Sequence, residues 1–314
     1  MVVSVAEYLG QRTDVDTYDI TPVPAESSAQ CPFMDRHCDK VEKGKAPVCV
    51  VRKASGTIWI VCEHRLCSTR QTKNIKVPGK TSPKKVDIGL VDHQIDILWK
   101  TADTIYRGKY AKGDIGIKRE VTVPLTESDR NYHADYVMRN FASGSKIDEI
   151  LLEMQGGGET SSTGSITRHI EKWSKQLNPT NSFLRANTSA GTIETNAWRR
   201  QQEQFLVKGN VVSQTGGKIV FAVGALLYDY LFSRFKNANL RDLRDHNWTL
   251  CIMAFDEDTS SLPTRGSIPL KVDTNRLLFT NYNTFVRFLT DQGGPCPELF
   301  EGEFTLLDRT KKVI

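Results

Sequence analysis

The clearest alternation of polar and apolar residues lies in the segment 149–155. Glu153 and Gln155 fall on one side of an extended chain here, and the residues at even positions, all apolar, fall on the other, because side chains alternate between the two faces of a β-strand. A shorter run of strand-forming residues, 135–138, precedes this segment and begins with Asp135. The pattern predicts two adjacent strands that each carry an acidic side chain.

The rest of the chain predicts a mixed order of helices and strands. Apolar residues at helical spacing predict helices over 88–106, 166–177, 197–207 and 225–235, and a short helix near 5–11. Runs of β-branched and aromatic residues predict strands over 48–51, 57–61, 120–124, 132–141, 147–155, 218–223, 248–255 and 276–280. Residues 68–85 show no hydrophobic period and predict a linker or surface arm. The order favours an α/β fold (α+β) with a mixed central sheet.

The cysteines concentrate near the N-terminus, where five of the seven lie within the first 67 residues. In a reducing cytosol this clustering favours metal ligation over disulfides. Four thiolates can close a tetrahedral site on zinc or iron, and the predicted ligands are Cys31, Cys38, Cys49 and Cys62. The spacing is not that of paired zinc knuckles, so buried thiols without a metal are the alternative interpretation. Cys67, His37 and His64 are alternative ligands.

The charge balance is mildly basic. Lysine and arginine total 42 against 37 aspartate and glutamate residues, which gives a net charge of +5 and a pI near 8.7. Such a balance is compatible with nucleic-acid binding without requiring it. The first residues lack the basic region of a secretory signal, and no apolar run reaches membrane-spanning length. We therefore expect a soluble cytoplasmic protein.

The acidic strands suggest a specific chemistry. Hydrolysis of a phosphodiester requires an activated water and stabilisation of negative charge, and a hard cation held by carboxylates supplies both. Asp135 and Glu153 are the predicted Mg²⁺ ligands, with Glu120 as a further acid. Gln155 stands where a lysine would usually orient the water, and it can act there only as a neutral hydrogen-bonding group. The alternative is an ordinary strand whose polar face is exposed to solvent.

Several basic residues are candidates for contacts with DNA. A glycine-rich segment, 156–164, follows the acidic strand, and it either lets a phosphate backbone approach closely or is a flexible connection. The candidate contacts lie in the predicted linker and on the helices that follow this segment, where a solvated surface explains them equally well. They are Lys80, Lys84, Lys85, Arg168, Arg199 and Arg200.

Three cysteine-containing segments, 31–38, 47–50 and 60–66, resemble the N-terminal metal-binding region of the NotI-type restriction endonucleases, a group that includes EagI. In that family a Glu-x-Gln strand, a Thr-Gly turn and a tryptophan-containing helix complete a PD-(D/E)xK-like site. Thr163-Gly164 and Trp173 resemble the turn and the helix. The resemblance covers roughly residues 29–235 and is concentrated in these segments.

The resemblance implies the domain organisation and the activity. Residues 1–75 would form an N-terminal arm and a four-cysteine metal-binding module, and residues 76–314 a PD-(D/E)xK restriction-endonuclease-like domain with a C-terminal extension. The protein would be a type II restriction enzyme that acts as a homodimer on palindromic, GC-rich double-stranded DNA in a prokaryotic cell. A DNA methyltransferase would belong to the same system without being a physical partner.

The resemblance also implies roles for the site residues. Asp135 and Glu153 would bind Mg²⁺, Gln155 would position the attacking water and Glu120 would assist. The four cysteines would hold iron. Two other functions fit the same residues: a non-catalytic four-cysteine DNA-binding regulator, and a repair nuclease of the same fold that recognises DNA structure. The recognition sequence is not predicted, because it depends on which side chains reach the major groove.

Overall fold

A computed structural model describes residues 2–24, 29–75, 78, 82–108, 110–124, 131–142, 144, 147, 149–158, 160–214, 216–234, 240–290 and 297–313. The N-terminal elements are β1 (Val3–Tyr8), β2 (Gln11–Arg12), α1 (Asp39–Glu42), β3 (Val48–Lys53), β4 (Ile58–Ile60), α2 (Glu63–Leu66), β5 (Thr72–Ile75) and β6 (Lys84–Asp87). The later elements are α3 (Asp92–Tyr106), β7 (Ile115–Pro124), β8 (Asn131–Asn140), β9 (Glu149–Gln155), α4 (Thr163–Ser174), α5 (Asn181–Leu184), α6 (Glu194–Gln214), β10 (Ile219–Gly224), α7 (Ala225–Ser233), β11 (Leu250–Glu257), β12 (Leu270–Thr280), α8 (Tyr282–Thr290), β13 (Glu303–Thr305) and β14 (Lys311–Val313). The protein is thus a mixed α/β molecule with several sheets.

The first sheet, with strand order β2-β1-β3-β4, lies in the N-terminal part of the chain. The helix predicted near residues 5–11 is wrong, because Val3–Tyr8 pairs with β3 as an antiparallel strand. Leu9 and Gly10 then take positive φ angles and turn the chain into β2. Short apolar segments fit helix and strand periods equally well, and pairing with β3 decides between them here.

The segment 68–85, predicted as a linker, contains regular structure. Its β5 strand pairs antiparallel with β6, from Thr72 opposite Asp87 to Ile75 opposite Lys84. Its residues are mostly exposed. A hairpin with two solvated faces has no hydrophobic alternation, so the hydrophobic pattern gives no sign of it.

The described residues also form a six-stranded central sheet with order β12-β11-β10-β9-β8-β7. The pairs β7–β8 and β8–β9 are antiparallel, β9–β10 and β10–β11 are parallel, and β11–β12 is antiparallel. The predicted strands of this sheet are confirmed with shifted ends. Because β9 lies between β8 and β10, it is an interior strand, and a side chain at its centre is removed from water.

Each face of the central sheet is covered by its own hydrophobic cluster. Cluster A joins one face to α4, α6, α7 and α8, and it includes Trp173, Trp198, Phe205, Phe221 and Phe285. Cluster B joins the other face to α3, and it includes Ile97, Leu98, Tyr136, Leu152 and Met253. Successive residues of β10 alternate between the two clusters, as the period of a strand requires.

The N-terminal region contributes to both clusters. Val3, Val5 and Trp59 belong to cluster A, and Ala6 and Ile60 belong to cluster B. Both clusters therefore contain residues from each side of the predicted boundary at 75/76.

A buried ion pair joins the N-terminal sheet to the segment before β12. Arg65 Nε lies 2.8 Å from Glu7 Oε1, and both side chains are at most 1% exposed. Glu7 Oε2 accepts a hydrogen bond from the Ile268 backbone N–H at 2.8 Å, while the Arg65 guanidinium also donates to the Ile268 carbonyl and lies over the Phe33 ring. Both charges therefore have polar partners, as burial requires.

The glycines that follow β9 allow a close contact with β4. A Cβ atom on Gly157 would lie 2.4 Å from Cε2 of Trp59, and one on Gly156 would lie 2.7 Å from Cγ2 of Ile60. Trp59 Nε1 also donates to the Gly158 carbonyl at 2.9 Å. At these positions glycine allows β4 to pack directly on the end of β9.

We expect Gly157→Ala to lower the free energy of unfolding by about 1–3 kcal/mol, the usual cost of forcing an extra group into a packed interior. The indole of Trp59 is buried and hydrogen-bonded, so it has little room to move. Urea denaturation measures the change. Gly89→Ala is the matched control, because a Cβ there meets no atom within 4 Å; equal effects of the two substitutions would contradict this account.

Among the described residues, no helix combines the length and the apolar character that a membrane span needs.

Candidate functional site

The structure brings Asp135 and Glu153 together on neighbouring strands. The antiparallel ladder between β8 and β9 ends at the pair Tyr136–Leu152. Asp135 precedes Tyr136 and Glu153 follows Leu152, so both acids lie just beyond this pair, on the face that carries cluster A. The Met154 backbone N–H donates to Asp135 Oδ2 at 2.9 Å and fixes this carboxylate against β9. The two predicted metal ligands therefore share one face at one level of the sheet.

Glu120 extends this row of acids to a third strand. The pairs Arg119–Tyr136 and Val121–Ala134 between β7 and β8 flank Glu120 and place it beside Asp135. Glu120 is exposed, has a φ of 48°, and accepts a hydrogen bond from Thr69 Oγ1 at 2.9 Å. It lies close enough for its charge to raise the pKa of Asp135.

Burial changes the acidity of both central carboxyls. Burial first, and then the charge of Asp135, raise the pKa of Glu153 to about 8, against an opposing contribution from Lys208. The pKa of Asp135 is raised mainly by burial, and the Met154 N–H and Lys208 oppose that rise. Glu153 Oε1 is buried without a hydrogen-bond partner among the described residues. An orphaned carboxylate oxygen beside a second carboxylate suits a hard divalent cation.

A lysine that the sequence analysis did not single out completes this cluster. Lys208 of α6 places Nζ 2.7 Å from Glu153 Oε2 and 2.7 Å from Gln204 Oε1, and its side chain is only 7% exposed. The predicted helix ended at residue 207, just before Lys208, whereas α6 continues for seven more residues to Gln214. The available signal was the spacing of Gln201, Gln204 and Lys208, which places three polar residues on one helix face.

Gln155 lies one strand period beyond Glu153 and faces α6. Its Oε1 accepts a hydrogen bond from Gln201 Nε2 at 2.6 Å, and the side chain is half-buried. The amide therefore has a fixed orientation beside the two carboxylates. It contributes no net charge to the site.

A cavity of about 440 Å³ opens beside these residues. On the sheet side its lining includes Gln155, Arg200, Gln201 and Gln204. On the N-terminal side it includes Cys31, Cys38, Cys62, Asp39, Glu63 and His64. Gln155 at the end of β9 and the cysteine region therefore lie on opposite sides of one cavity, whose lining does not include Asp135 or Glu153.

The four predicted cysteine ligands are all buried and belong to cluster B. Burial raises the pKa of the Cys31 thiol to about 12 and also raises those of Cys49 and Cys62. Among the described residues, the group whose ligand atoms lie within 4.8 Å of one another consists of Asp39, Glu63 and His64, and it contains no thiol. The tetracysteine metal site stays a prediction.

Two alternative ligands have other contacts. His64 Nε2 lies 3.0 Å from Asp39 Oδ2, which links α2 to α1. The Cys67 sulfur lies 3.0 Å from the Tyr136 hydroxyl, under the central sheet. Both contacts tie the cysteine region to its surroundings.

The candidate DNA contacts are distributed over several elements. Lys80 lies outside the described residues. The others are exposed, Lys84 and Lys85 on β6, Arg168 on α4, and Arg199 and Arg200 in the first turns of α6. Arg200 lines the same cavity as Gln155, and the other described candidates do not.

No protein-family model matches the chain, and a search of curated proteins finds no match. The geometry of the site therefore carries the functional argument.

Proposed function

We propose that the protein is a site-specific endonuclease that hydrolyses double-stranded DNA in the presence of Mg²⁺, a type II restriction enzyme. The observation that carries this proposal is the position of Asp135 and Glu153 on adjacent strands, each one residue beyond the pair Tyr136–Leu152. The buried Oε1 of Glu153 lacks a partner among the described residues. Carboxylate oxygens are the ligands that Mg²⁺ prefers, and a buried pair of like charges favours a cation between them.

Asp135 and Glu153 would hold the cation, and Glu120 would assist from β7. A bound Mg²⁺ supplies charge stabilisation at the phosphate and lowers the pKa of water. Gln155, held by Gln201, would orient the attacking water through its amide. The water oxygen forms a bond to phosphorus, and the bond from phosphorus to the 3′ oxygen breaks. The water proton leaves to solvent and the 3′ oxygen takes one from solvent, which yields a 5′-phosphate and a 3′-hydroxyl.

The central sheet supports a PD-(D/E)xK core of the NotI type. Antiparallel β7, β8 and β9 carry the acids, parallel β10 and β11 follow, and helices cover both faces. The four cysteines would hold iron or zinc as a structural site within the N-terminal region. All four are buried, and Cys31, Cys38 and Cys62 line one cavity, which supports this part of the proposal.

The proposal includes a dimer on DNA. A two-fold dimer would place two sites across a palindromic, GC-rich sequence, so that each strand is cut once. The exposed basic residues Lys84, Lys85, Arg168, Arg199 and Arg200 would contact phosphates or bases. The enzyme would act in the cytoplasm of a prokaryotic cell, where a separate methyltransferase protects the host DNA.

The test is incubation of the purified protein with GC-rich plasmid DNA, with Mg²⁺ or with EDTA. We expect discrete fragments with Mg²⁺ alone, and sequencing of their ends would give the recognition site. Glu153→Ala should abolish cleavage. Glu149→Ala should leave it unchanged, since Glu149 lies on the same strand but is exposed and paired loosely with Arg139.

Three results would contradict this function in different ways. DNA binding without cleavage by the wild-type protein would favour a regulator. Cleavage restricted to branched or nicked DNA would favour a repair nuclease. Cleavage that persists in Glu153→Ala would show that the nuclease activity arises elsewhere.

A further inference from the structure

Lys208 is the buried cation of the acidic cluster. Its ammonium group lies 2.7 Å from Glu153 Oε2, and its charge opposes the rise in the pKa of Asp135. Lys208 therefore interacts electrostatically with both carboxyls. The side chain starts from α6, whereas both acids start from the central sheet. The cluster thus combines two buried carboxylates from strands with one buried ammonium from a helix.

The helix that carries Lys208 is firmly placed. The Phe205 ring stacks on the Phe221 ring of β10 with centroids 3.8 Å apart. At Gly209, next to Lys208, a Cβ would lie 2.1 Å from Cε2 of Tyr282, so the Tyr282 ring of α8 packs directly on the backbone of α6. A well-packed helix therefore holds Lys208 beside the acids. A group that must contact a substrate at a defined position needs such support.

The charge balance of the cluster suggests that Lys208 interacts with a phosphate. A divalent cation cancels the two carboxylates, and the neutral Gln155 adds nothing. Lys208 supplies a positive charge that matches a phosphodiester, and it can oppose the additional negative charge that develops at phosphorus during attack by water. Gln155 cannot provide such a charge, because its amide is neutral.

We propose that Lys208 is a catalytic residue, which donates hydrogen bonds from its ammonium group to a non-bridging oxygen of the scissile phosphate. This assignment rests on the proposed nuclease function. When a cation occupies the carboxylates, the flexible lysine stem lets the ammonium group move from Glu153 to the phosphate. The proton stays on Nζ throughout, and bond formation from water and loss of the 3′ oxygen proceed as above. Gln155 keeps the task of orienting the water.

The experiment compares Lys208→Met, Lys208→Arg and wild type. Lys208→Met should slow single-turnover cleavage with Mg²⁺ by about 10²–10³-fold, the usual effect of removing one preorganised charge-stabilising donor. Lys208→Arg keeps the charge with a different geometry and should retain more activity than Lys208→Met. Lys100→Met is the matched control, because Lys100 forms a helical ion pair with Asp96 on α3, which packs on the opposite face of the sheet.

Two readouts separate catalysis from a structural role. DNA binding in Ca²⁺ should stay within about tenfold of wild type for Lys208→Met, a change small beside the loss of rate. Titration with Mn²⁺ by calorimetry should show equal or tighter binding, since the substitution removes a cation that competes for Glu153. Circular dichroism records whether each variant is folded. If Lys208→Met does not fold, the cleavage rate of Lys208→Arg tests the assignment instead.

The possible results are distinguishable. If wild type cleaves and a folded Lys208→Met cleaves at a similar rate, the assignment is overturned while the nuclease function stands. Loss of both Mn²⁺ binding and cleavage in Lys208→Met and Lys208→Arg would make Lys208 a structural counter-ion and would also overturn it. If wild type shows no Mg²⁺-dependent cleavage, the proposed function fails and this assignment fails with it.

Discussion

Replacing Asp135 with asparagine is expected to abolish DNA cleavage and, at alkaline pH, to stabilise the folded protein. The amide removes a metal-ligating charge, so the cleavage rate should fall by at least about 10²–10³-fold. Asparagine still offers an oxygen to the Met154 N–H, which Asp135 Oδ2 accepts in the structure. The fold should therefore tolerate the change while the chemistry does not.

The stabilisation depends on pH in a defined direction. The pKa values of Asp135 and Glu153 are both raised by burial in the folded protein, that of Glu153 to about 8. Groups of this kind stabilise the fold at low pH, and their contribution is lost as pH rises from about 4, where the unfolded chain ionises, through the folded pKa. Wild type should therefore lose stability between about pH 5 and pH 8, and Asp135→Asn should lose less.

Thermal denaturation in EDTA at pH 5.5 and pH 8.5 measures this difference. At the higher pH we expect the variant to be more stable than wild type by on the order of 1 kcal/mol, as is common when a strained functional site is neutralised. Added Mg²⁺ should raise the melting temperature of wild type and leave that of the variant nearly unchanged. A variant less stable than wild type at pH 8.5 would show that the carboxylate pair does not oppose folding.

The second large effect is expected at the buried ion pair of Glu7 and Arg65. Arg65→Met should lower the free energy of unfolding by about 3–5 kcal/mol, because it leaves the Glu7 carboxylate buried without its counter-ion. The Ile268 carbonyl also loses a donor. Urea denaturation gives the value.

The double variant Glu7→Leu/Arg65→Met should recover part of that loss, since two apolar groups replace the pair and no charge is left buried. Lys311→Met is the control for an exposed pair, because Lys311 and Glu303 are 63% and 53% exposed, and its effect should stay within about 1 kcal/mol. Similar losses for Arg65→Met and Lys311→Met would rule out the buried pair as a source of stability.

Much of the central sheet follows from the hydrophobic pattern of the sequence. The strand with Glu153 was predictable because its even positions are apolar and its odd positions include three polar residues. This alternation fixes which side chains share a face of the sheet. The proximity of Asp135 and Glu153 follows from their positions on adjacent antiparallel strands, each one residue beyond the pair Tyr136–Leu152. Of the helices that cover the sheet, α3, α4 and α7 were predicted to within four residues of their ends, whereas the prediction for α6 stopped seven residues short and α8 was not predicted.

The contributions from elsewhere in the chain were not predictable from local patterns. Lys208 meets Glu153 across 55 residues of sequence, and a lysine on an amphipathic helix is usually solvated. The glycines after Gln155 suggested an approach route for phosphate, but Gly156 and Gly157 pack against Ile60 and Trp59. Both contacts depend on tertiary packing, which no sequence period encodes.

The contact between these glycines and β4 has a consequence for how related proteins can diverge. Because the loop that ends β9 leaves no room for a side chain against Trp59, a larger residue at Gly157 requires a smaller one at position 59. The two stretches are thus constrained to coevolve, although about 100 residues separate them. A chimera that joins residues 1–75 of one homologue to the remainder of another must exchange this loop as well.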